Sequence, residues 1–177
     1  MESVEINGSR LEIVQGDITK QDTEAVVNAA NKKLAPGGGV AGAIHRAAGP
    51  EMYEECKKIG GCDTGDAKIT DGYNLKADSV IHTVGPVYSG SKEDEKYLRK
   101  SYKNSLELAA ENDLTSLSFP ALSTGAFGYP VEEAAEIALD EIGKFLKMDD
   151  KIEVVRMVLF DEKDHKVHLE KMKEKFF

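Results

Sequence analysis

The sequence lacks, or has little of, several features that mark particular protein classes. Among 177 residues it has no tryptophan and only two cysteines, Cys56 and Cys62, and two such thiols are usually reduced and structural. No apolar run approaches the roughly 20 residues that a membrane-spanning helix needs. Residues 1–10 lack the basic and apolar stretches of a signal peptide. We therefore expect a cytoplasmic protein without membrane contact, and its length fits one domain over residues 1–177.

Basic residues are also scarce, because 23 lysines and arginines face 32 aspartates and glutamates, a formal net charge of −9. Non-specific nucleic-acid binding needs basic surface to displace counterions, so this balance argues against a nucleic-acid partner. An anionic ligand would be held by local backbone N–H groups and helix N-termini, which predicts glycine-rich loops rather than arginine clusters. The four histidines are scattered without metal-ligand spacing, and we predict neither a metal nor a cofactor.

Strand and helix patterns alternate along the chain. Short β-rich runs predict strands at 11–14, 25–27, 79–84, 114–119 and 152–160, the first of them after an Asn7-Gly8 turn. Apolar residues at helical spacing predict helices at 39–48, 93–112, 131–146 and 164–175. Strands that alternate with helices indicate an α/β layered domain with a mostly parallel sheet.

Two glycine-rich loops follow predicted strands and lead into predicted helices. The first reads PGGGV over 36–40, and the second reads ALSTGAFGYP over 121–130. Ligands of open α/β sheets lie at the carboxyl ends of strands. Glycines let the backbone approach a phosphate, and the following helix offers its N-terminal amides. Either loop alone is a weak signal, since neither is a GxGxxG or Walker sequence. Together, facing each other, they favour a nucleotide diphosphate over a single phosphate.

These residues resemble the macrodomain family, and most closely its MacroD-type branch. The matching segments occur in family order and cover nearly the whole chain: GDIT at 16–19, VNAAN at 27–31, GGGVAGAIHRAAG at 37–49, GDAKITDG at 65–72, IHTVGP at 81–86 and FPALSTGAFGYP at 119–130. The resemblance implies a three-layer α/β/α sandwich with a mixed, mostly parallel sheet. It implies binding of ADP-ribose, and ADP-ribosylated proteins or O-acetyl-ADP-ribose as partners.

At the adenine end, the resemblance assigns two side chains. Asp17 matches the acid that accepts a hydrogen bond from the adenine amino group, and Ile18 falls in the same binding site. A capping role for Asp17 at a helix N-terminus is the alternative, and the two roles are compatible. Phe160 matches the aromatic residue that stacks on adenine, and a core phenylalanine is its alternative.

Around the diphosphate and the distal ribose, the resemblance assigns the two loops and three further side chains. The second loop would wrap the diphosphate, with its aromatic residue positioning the distal ribose, through Ser123, Thr124, Gly125, Ala126 and Phe127. The facing loop would contribute Gly38, Gly39 and Val40. The catalytic candidates are Asn31, its near neighbour Asn28, and His45 at the periphery. For Asn28 a purely structural bond to the backbone is the alternative, and for His45 a packing role.

One departure from the family pattern concerns the general base. MacroD-type enzymes usually carry an aspartate after the position of Val40, proposed to activate water, and here that position is Ala41. We therefore expect a substrate-assisted reaction, in which water held between phosphate and distal ribose attacks C1″ and Asn31 and Asn28 fix the sugar.

Three functions remain open from the sequence. The favoured one is hydrolysis of mono-ADP-ribosyl esters on Asp or Glu side chains, or deacetylation of O-acetyl-ADP-ribose. The second is a non-catalytic ADP-ribose binding module, which Ala41 makes credible. The third is RNA binding, against which the net charge of −9 counts.

Overall fold

Seven strands form a single mixed sheet in the computed structural model, which describes all residues 1–177. In chain order the strands are β1 (Glu2–Ile6), β2 (Ser9–Gln15), β3 (Ala25–Ala29), β4 (Ala67–Asp71), β5 (Ser79–Thr83), β6 (Ser116–Phe119) and β7 (Val154–Leu159). Their order across the sheet is β1-β2-β7-β6-β3-β5-β4. The five central strands are parallel, and the edge strands β1 and β4 run antiparallel to their neighbours. All carboxyl ends of the parallel strands therefore lie at one edge.

Five helices cover the two faces of the sheet. They are α1 (Gly39–Ala48), α2 (Pro50–Ile59), α3 (Lys92–Glu111), α4 (Val131–Met148) and α5 (Glu162–Phe176). The larger core lies under α3, α4 and α5, and the smaller core lies under α1 and α2. The predicted α/β/α sandwich with a mixed, mostly parallel sheet is thus confirmed. None of these helices has the length and hydropathy to cross a bilayer, and the cytoplasmic location stays a prediction.

Every strand and helix predicted from the sequence is present, with shifts of a few residues at the ends. The Asn7-Gly8 turn joins β1 to β2, and both residues have positive φ angles, 52° and 84°. Three elements were not predicted from the sequence: β1, β4 and α2. The two strands lie at the sheet edges, where only one residue of each is buried and an apolar run is absent. The ten-residue α2 starts at Pro50, directly after Gly49 ends α1.

A buried ion pair fixes the register between β2 and β7. Glu12 lies opposite Arg156 in the parallel ladder, and Arg156 Nε donates to Glu12 Oε1 at 2.9 Å. The Glu12 side chain is only 4% exposed, and Arg10 Nε donates to its second oxygen at 3.1 Å. A one-residue slip would separate these charges and leave a carboxylate unpaired inside the protein. The pair thereby fixes how far the ends of β2 and β7 extend relative to each other along the strand direction.

Substitution of Glu12 tests the importance of this pair. We expect Glu12→Ala to lower the free energy of unfolding by about 3 kcal/mol, because Arg156 would lose its most buried partner. Glu54→Ala is the matched control, since Glu54 pairs with Lys57 in the open on α2 at 67% and 52% side-chain exposure. Its cost should be at most about 1 kcal/mol. Urea unfolding measures both, and equal effects would contradict a structural role for the buried pair.

Candidate functional site

A cleft of about 530 Å³ opens at the carboxyl edge of the sheet. Its walls come from the segment after β2, one side of α1, the loop after β6, the end of β7 and the start of α5. This volume is in the range of about 300–1,000 Å³ of small-molecule sites. The cleft brings together residues that are far apart in sequence and that the sequence analysis singled out: Asp17, Ile18, Gly39, Val40, Thr124, Gly125 and Phe160.

One end of the cleft combines a carboxylate with an exposed aromatic ring. Asp17 Oδ1 accepts from the Thr19 backbone N–H at 2.9 Å and from the Thr19 hydroxyl at 2.7 Å, so Asp17 caps the short 3₁₀ turn Ile18–Lys20. These hydrogen bonds lower the pKa of Asp17 and leave Oδ2 for another donor. Phe160 follows β7 directly and is 85% exposed, so the alternative of a core phenylalanine is wrong. This end suits a flat ring that carries an amino group.

Free backbone N–H groups lie on the two loops. The first N–H groups of α1 have no intrahelical acceptor, and Gly38 caps this helix without a side-chain bond. None of the N–H groups of residues 124–127 donates to a backbone carbonyl, and Gly125 and Ala126 are exposed. Gly39, Val40, Thr124 and Gly125 line the same cleft, so the predicted facing arrangement of the loops is present. Such groups bind an anion without a lysine or arginine.

Gly42 holds the first loop close to its helix. A Cβ built on Gly42 would collide with the carbonyl oxygen of Gly37, so no larger residue fits without movement of the backbone. Asn31 holds the same loop from the strand side. Its Nδ2 donates to the Ala35 carbonyl at 2.8 Å, and its Oδ1 accepts from the Ala35 N–H at 3.0 Å. Asn31 is partly exposed, and its predicted contact with a sugar stays a prediction.

The second loop is shaped by its own hydrogen bonds. Ser123 has a φ of 65° and accepts from the Tyr129 N–H at 2.8 Å, which closes the turn around residues 124–128. The carbonyl of Phe127 accepts from the Tyr88 N–H at 2.8 Å and thereby attaches the loop to the segment after β5. Ser123, Ala126 and Phe127 adjoin the cleft residues Thr124 and Gly125, and so does Gly38 beside Gly39. Their ligand-binding roles stay predictions.

Asn28 and His45 lie deeper than Asn31, in the core between the sheet and α1. Asn28 is 1% exposed, and its Nδ2 lies 3.1 Å from His82 Nδ1, so its partner is a side chain rather than the backbone contact weighed from the sequence. His45 is 7% exposed, and neither of its ring nitrogens has a hydrogen-bond partner. Burial lowers the pKa of His45, which favours the neutral ring. Their catalytic roles stay predictions.

Several cleft residues were not among the site residues predicted from the sequence, although the first five lie in the matching segments: Gly16, Ala43, Arg46, Pro120, Ala121, Val158, Leu159 and Asp164. Ala43 and Arg46 follow Gly39 and Val40 at the spacing of one helix face. The helical period of 3.6 residues could therefore have predicted which side of α1 lines the cleft. The pKa of Asp164 is raised by desolvation at the start of α5. Nothing local in the sequence marks Val158 or Leu159, which are ordinary strand residues near the end of β7.

A larger cavity of about 650 Å³ lies elsewhere, against α3, α4 and α5. Its lining is dominated by charged side chains such as Glu95, Arg99 and Glu132, several of them already in ion pairs. It contains neither the free loop amides nor the strand ends, so we assign the site to the smaller cleft. No group of three or more His, Cys, Asp or Glu side chains is placed to hold a metal ion. Cys56 and Cys62 are free and buried.

Comparison with known proteins gives a consistent result. The family model described as "Macro domain" matches residues 27–138. A "Macro domain-containing protein" of Methanosarcina mazei is 50% identical over 159 residues, which are 89% of this chain and 85% of that protein. The "ADP-ribose glycohydrolase MACROD2" of Xenopus laevis is 47% identical over 181 residues, 99% of this chain and 43% of that longer protein.

Solved structures agree with the sequence relatives. A macrodomain variant from Oceanobacillus iheyensis, solved "with ADPR", superposes with a TM-score of 0.94 at 44% identity and covers 98% of this chain and 97% of that one. The Trypanosoma brucei macrodomain "in complex with ADP-ribose" gives a TM-score of 0.87 at 41% identity, over 90% of this chain and 68% of that one. On the family match, the identity and the shared fold, the chain belongs to the macrodomain family.

Proposed function

We propose that this chain binds ADP-ribose in the cleft and hydrolyses mono-ADP-ribosyl esters on Asp or Glu side chains, deacetylates O-acetyl-ADP-ribose, or does both. The observation that carries the proposal is the convergence of Asp17, Phe160 and two loops of free N–H groups on one cleft. Relatives named as an ADP-ribose glycohydrolase and an O-acetyl-ADP-ribose deacetylase support the hydrolytic part. We take residues 1–177 as one domain, in keeping with its single continuous sheet.

The chemistry of the cleft matches the parts of ADP-ribose in order. The adenine amino group donates to Oδ2 of Asp17, and the exposed ring of Phe160 stacks on the adenine face. The diphosphate lies between α1 and the second loop and accepts from the N–H groups of both. The positive end of α1 offsets the charge of the phosphates, which a protein of net charge −9 cannot do through its overall field.

The distal ribose then lies beyond the diphosphate, toward the ends of β3 and β5. Phe127 positions the sugar from the second loop, and Asn28 on β3 and Asn31 just beyond it hold the hydroxyl groups of the sugar. Water attacks C1″, the bond from C1″ to the carboxylate oxygen breaks, and the water proton passes to solvent through the neighbouring phosphate. The products are ADP-ribose and the free Asp or Glu side chain. Orientation of water and sugar supplies most of the rate.

A non-catalytic binding module is the alternative that one observation favours. Ala41, in the first turn of α1 and 6% exposed, offers no proton acceptor where MacroD-type enzymes usually have an aspartate. The neutral His45 ring is buried behind it in the same helix and has no carboxylate partner. In this case ADP-ribose would bind as described and no ester would be cleaved.

Removal of the aromatic ring at the adenine end tests the binding mode. We expect Phe160→Ala to weaken ADP-ribose affinity by about tenfold or more, because stacking on a base is worth about 1–3 kcal/mol. Phe177→Ala is the matched control, since Phe177 is 75% exposed at the end of the chain and outside the cleft. Calorimetry with free ADP-ribose measures both. Equal affinities in the two variants would place the adenine elsewhere.

The principal test follows ester hydrolysis. ADP-ribose release from a glutamate-linked mono-ADP-ribosylated protein is compared between wild type and Asn31→Ala, with calorimetric affinity for ADP-ribose on the same samples. We expect Asn31→Ala to slow release by about 10²-fold or more, since a misplaced sugar loses the alignment with water. Tight binding without release by the wild type would indicate a binding module. Release that is untouched by the substitution would remove Asn31 from the mechanism.

Restoration of a carboxylate at position 41 tests the missing base. We expect Ala41→Asp to raise the hydrolytic rate by about 10²-fold with unchanged ADP-ribose affinity, because a positioned base contributes about 10²–10⁴-fold. Ala41→Asn is the control, since it has nearly the same shape and cannot take a proton. An equal rise in both variants would point to packing rather than base catalysis.

A further inference from the structure

A chain of buried polar side chains crosses the sheet from β4 to β3, on the face covered by α1 and α2. The Thr70 hydroxyl on β4 lies 2.9 Å from His82 Nε2 on β5, and His82 Nδ1 lies 3.1 Å from Asn28 Nδ2 on β3. All three residues are at most 3% exposed. The remainder of the core around them is largely apolar, so a polar row here needs a reason.

The direction of each hydrogen bond follows from the outermost one. Thr70 Oγ1 donates to the Asp71 carbonyl at 3.0 Å, which occupies its only proton. Toward His82 the hydroxyl can therefore only accept, and His82 Nε2 carries the proton that it donates. Nδ1 of the neutral ring is then bare and accepts from Asn28 Nδ2. The Asn28 amide is thereby held in one of its two orientations, with Oδ1 turned away from His82.

The neutral state of the His82 ring reinforces this orientation, and the nearby thiol competes with it only weakly. Burial lowers the pKa of His82 to about 3, so the ring stays neutral and Nδ1 stays an acceptor at ordinary pH. Cys56 Sγ lies 3.9 Å from His82 Nε2, but a thiol is a weak donor as well as a weak acceptor, and Thr70 is much closer. His82 therefore has one favoured tautomer, and Thr70 selects it.

The row of hydrogen-bonded side chains ends at Asn28 Oδ1, which is buried and has no hydrogen-bond partner. We propose that Thr70 and His82 are positioning residues that fix the Asn28 amide so that Oδ1, rather than the NH₂ group, is offered to a hydroxyl donor in the active site. The donor is a distal-ribose hydroxyl or the attacking water, and this assignment rests on the proposed function. An amide rotated by 180° would present a donor to a donor and lose that bond.

The experiment uses Thr70→Val, which keeps the shape of the side chain and removes the acceptor for His82 Nε2–H. The expected results are a shift of His82 from the Nε2–H tautomer toward Nδ1–H, read from the ¹⁵N shifts of the ring, and a loss of about tenfold in ester hydrolysis. Affinity for free ADP-ribose should change less than about threefold, because adenine and diphosphate contacts dominate binding. Thr70→Ser should restore both the tautomer and the rate.

Thr23→Val is the matched control at the opposite end of β3. The Thr23 hydroxyl is also buried, donates to a backbone carbonyl, that of Ala25, at 2.9 Å, and contacts the hydroxyl of Ser118 at 2.7 Å. Its loss therefore removes equivalent bonds without contact with His82. We expect similar destabilisation in thermal unfolding, with the His82 tautomer and the hydrolytic rate unchanged.

Different results separate the possible failures. An Nδ1–H tautomer in the wild type overturns the proposal without any variant, so it stays testable if Thr70→Val does not fold. A changed tautomer in Thr70→Val with an unchanged rate overturns the positioning role. A wild type that binds no ADP-ribose overturns the proposed function, whereas a wild type that binds ADP-ribose without hydrolysis removes the reaction that Asn28 would serve.

Discussion

The parallel alignment of the central strands is the constraint on which the site depends. Asp17 lies two residues beyond β2 and Phe160 one residue beyond β7, and the Glu12–Arg156 pair holds these strands in register. The glycine loops follow β3 and β6 in the same sheet. Because all four segments leave the sheet at one edge, the residues proposed to hold the two ends of ADP-ribose are spaced by the sheet itself rather than by flexible loops.

An acidic protein that binds an anion needs a positive electrostatic potential at the binding site despite its negative net charge. In the proposed binding mode, the free N–H groups of the two loops and of the start of α1 supply this potential together with Arg46, the one cationic side chain that lines the cleft. The nearby polar side chains are neutral by burial, as in His45 and His82, or are held by hydrogen bonds, as in Asn31. In the reaction proposed above, orientation of water and sugar therefore contributes more than a charged general base.

The fold and one half of the site were accessible from sequence, for different physical reasons. The sequence signal is strong in long amphipathic helices such as α3 and α4, whose apolar residues recur at helical spacing, and in the β-branched run of β7. The edge strands β1 and β4 have no such pattern. The loops were recognisable because backbone contact with phosphate requires small residues in sequence. The contact of Asn28 with His82 spans 54 positions, and only the register of β3 on β5 reveals it.

The proposed binding of the diphosphate by backbone groups has a consequence for sequence divergence among homologues. Cβ atoms at Gly38 and Gly125 would meet nothing within 4 Å, so side chains can change there while the N–H groups stay in place. At Gly42 a Cβ would collide with the loop backbone, and Gly39 and Gly128 have positive φ angles of 55° and 74°. We therefore expect homologues to retain the few glycines that set the backbone conformation of the loops. The remaining loop positions can diverge while the ligand stays the same.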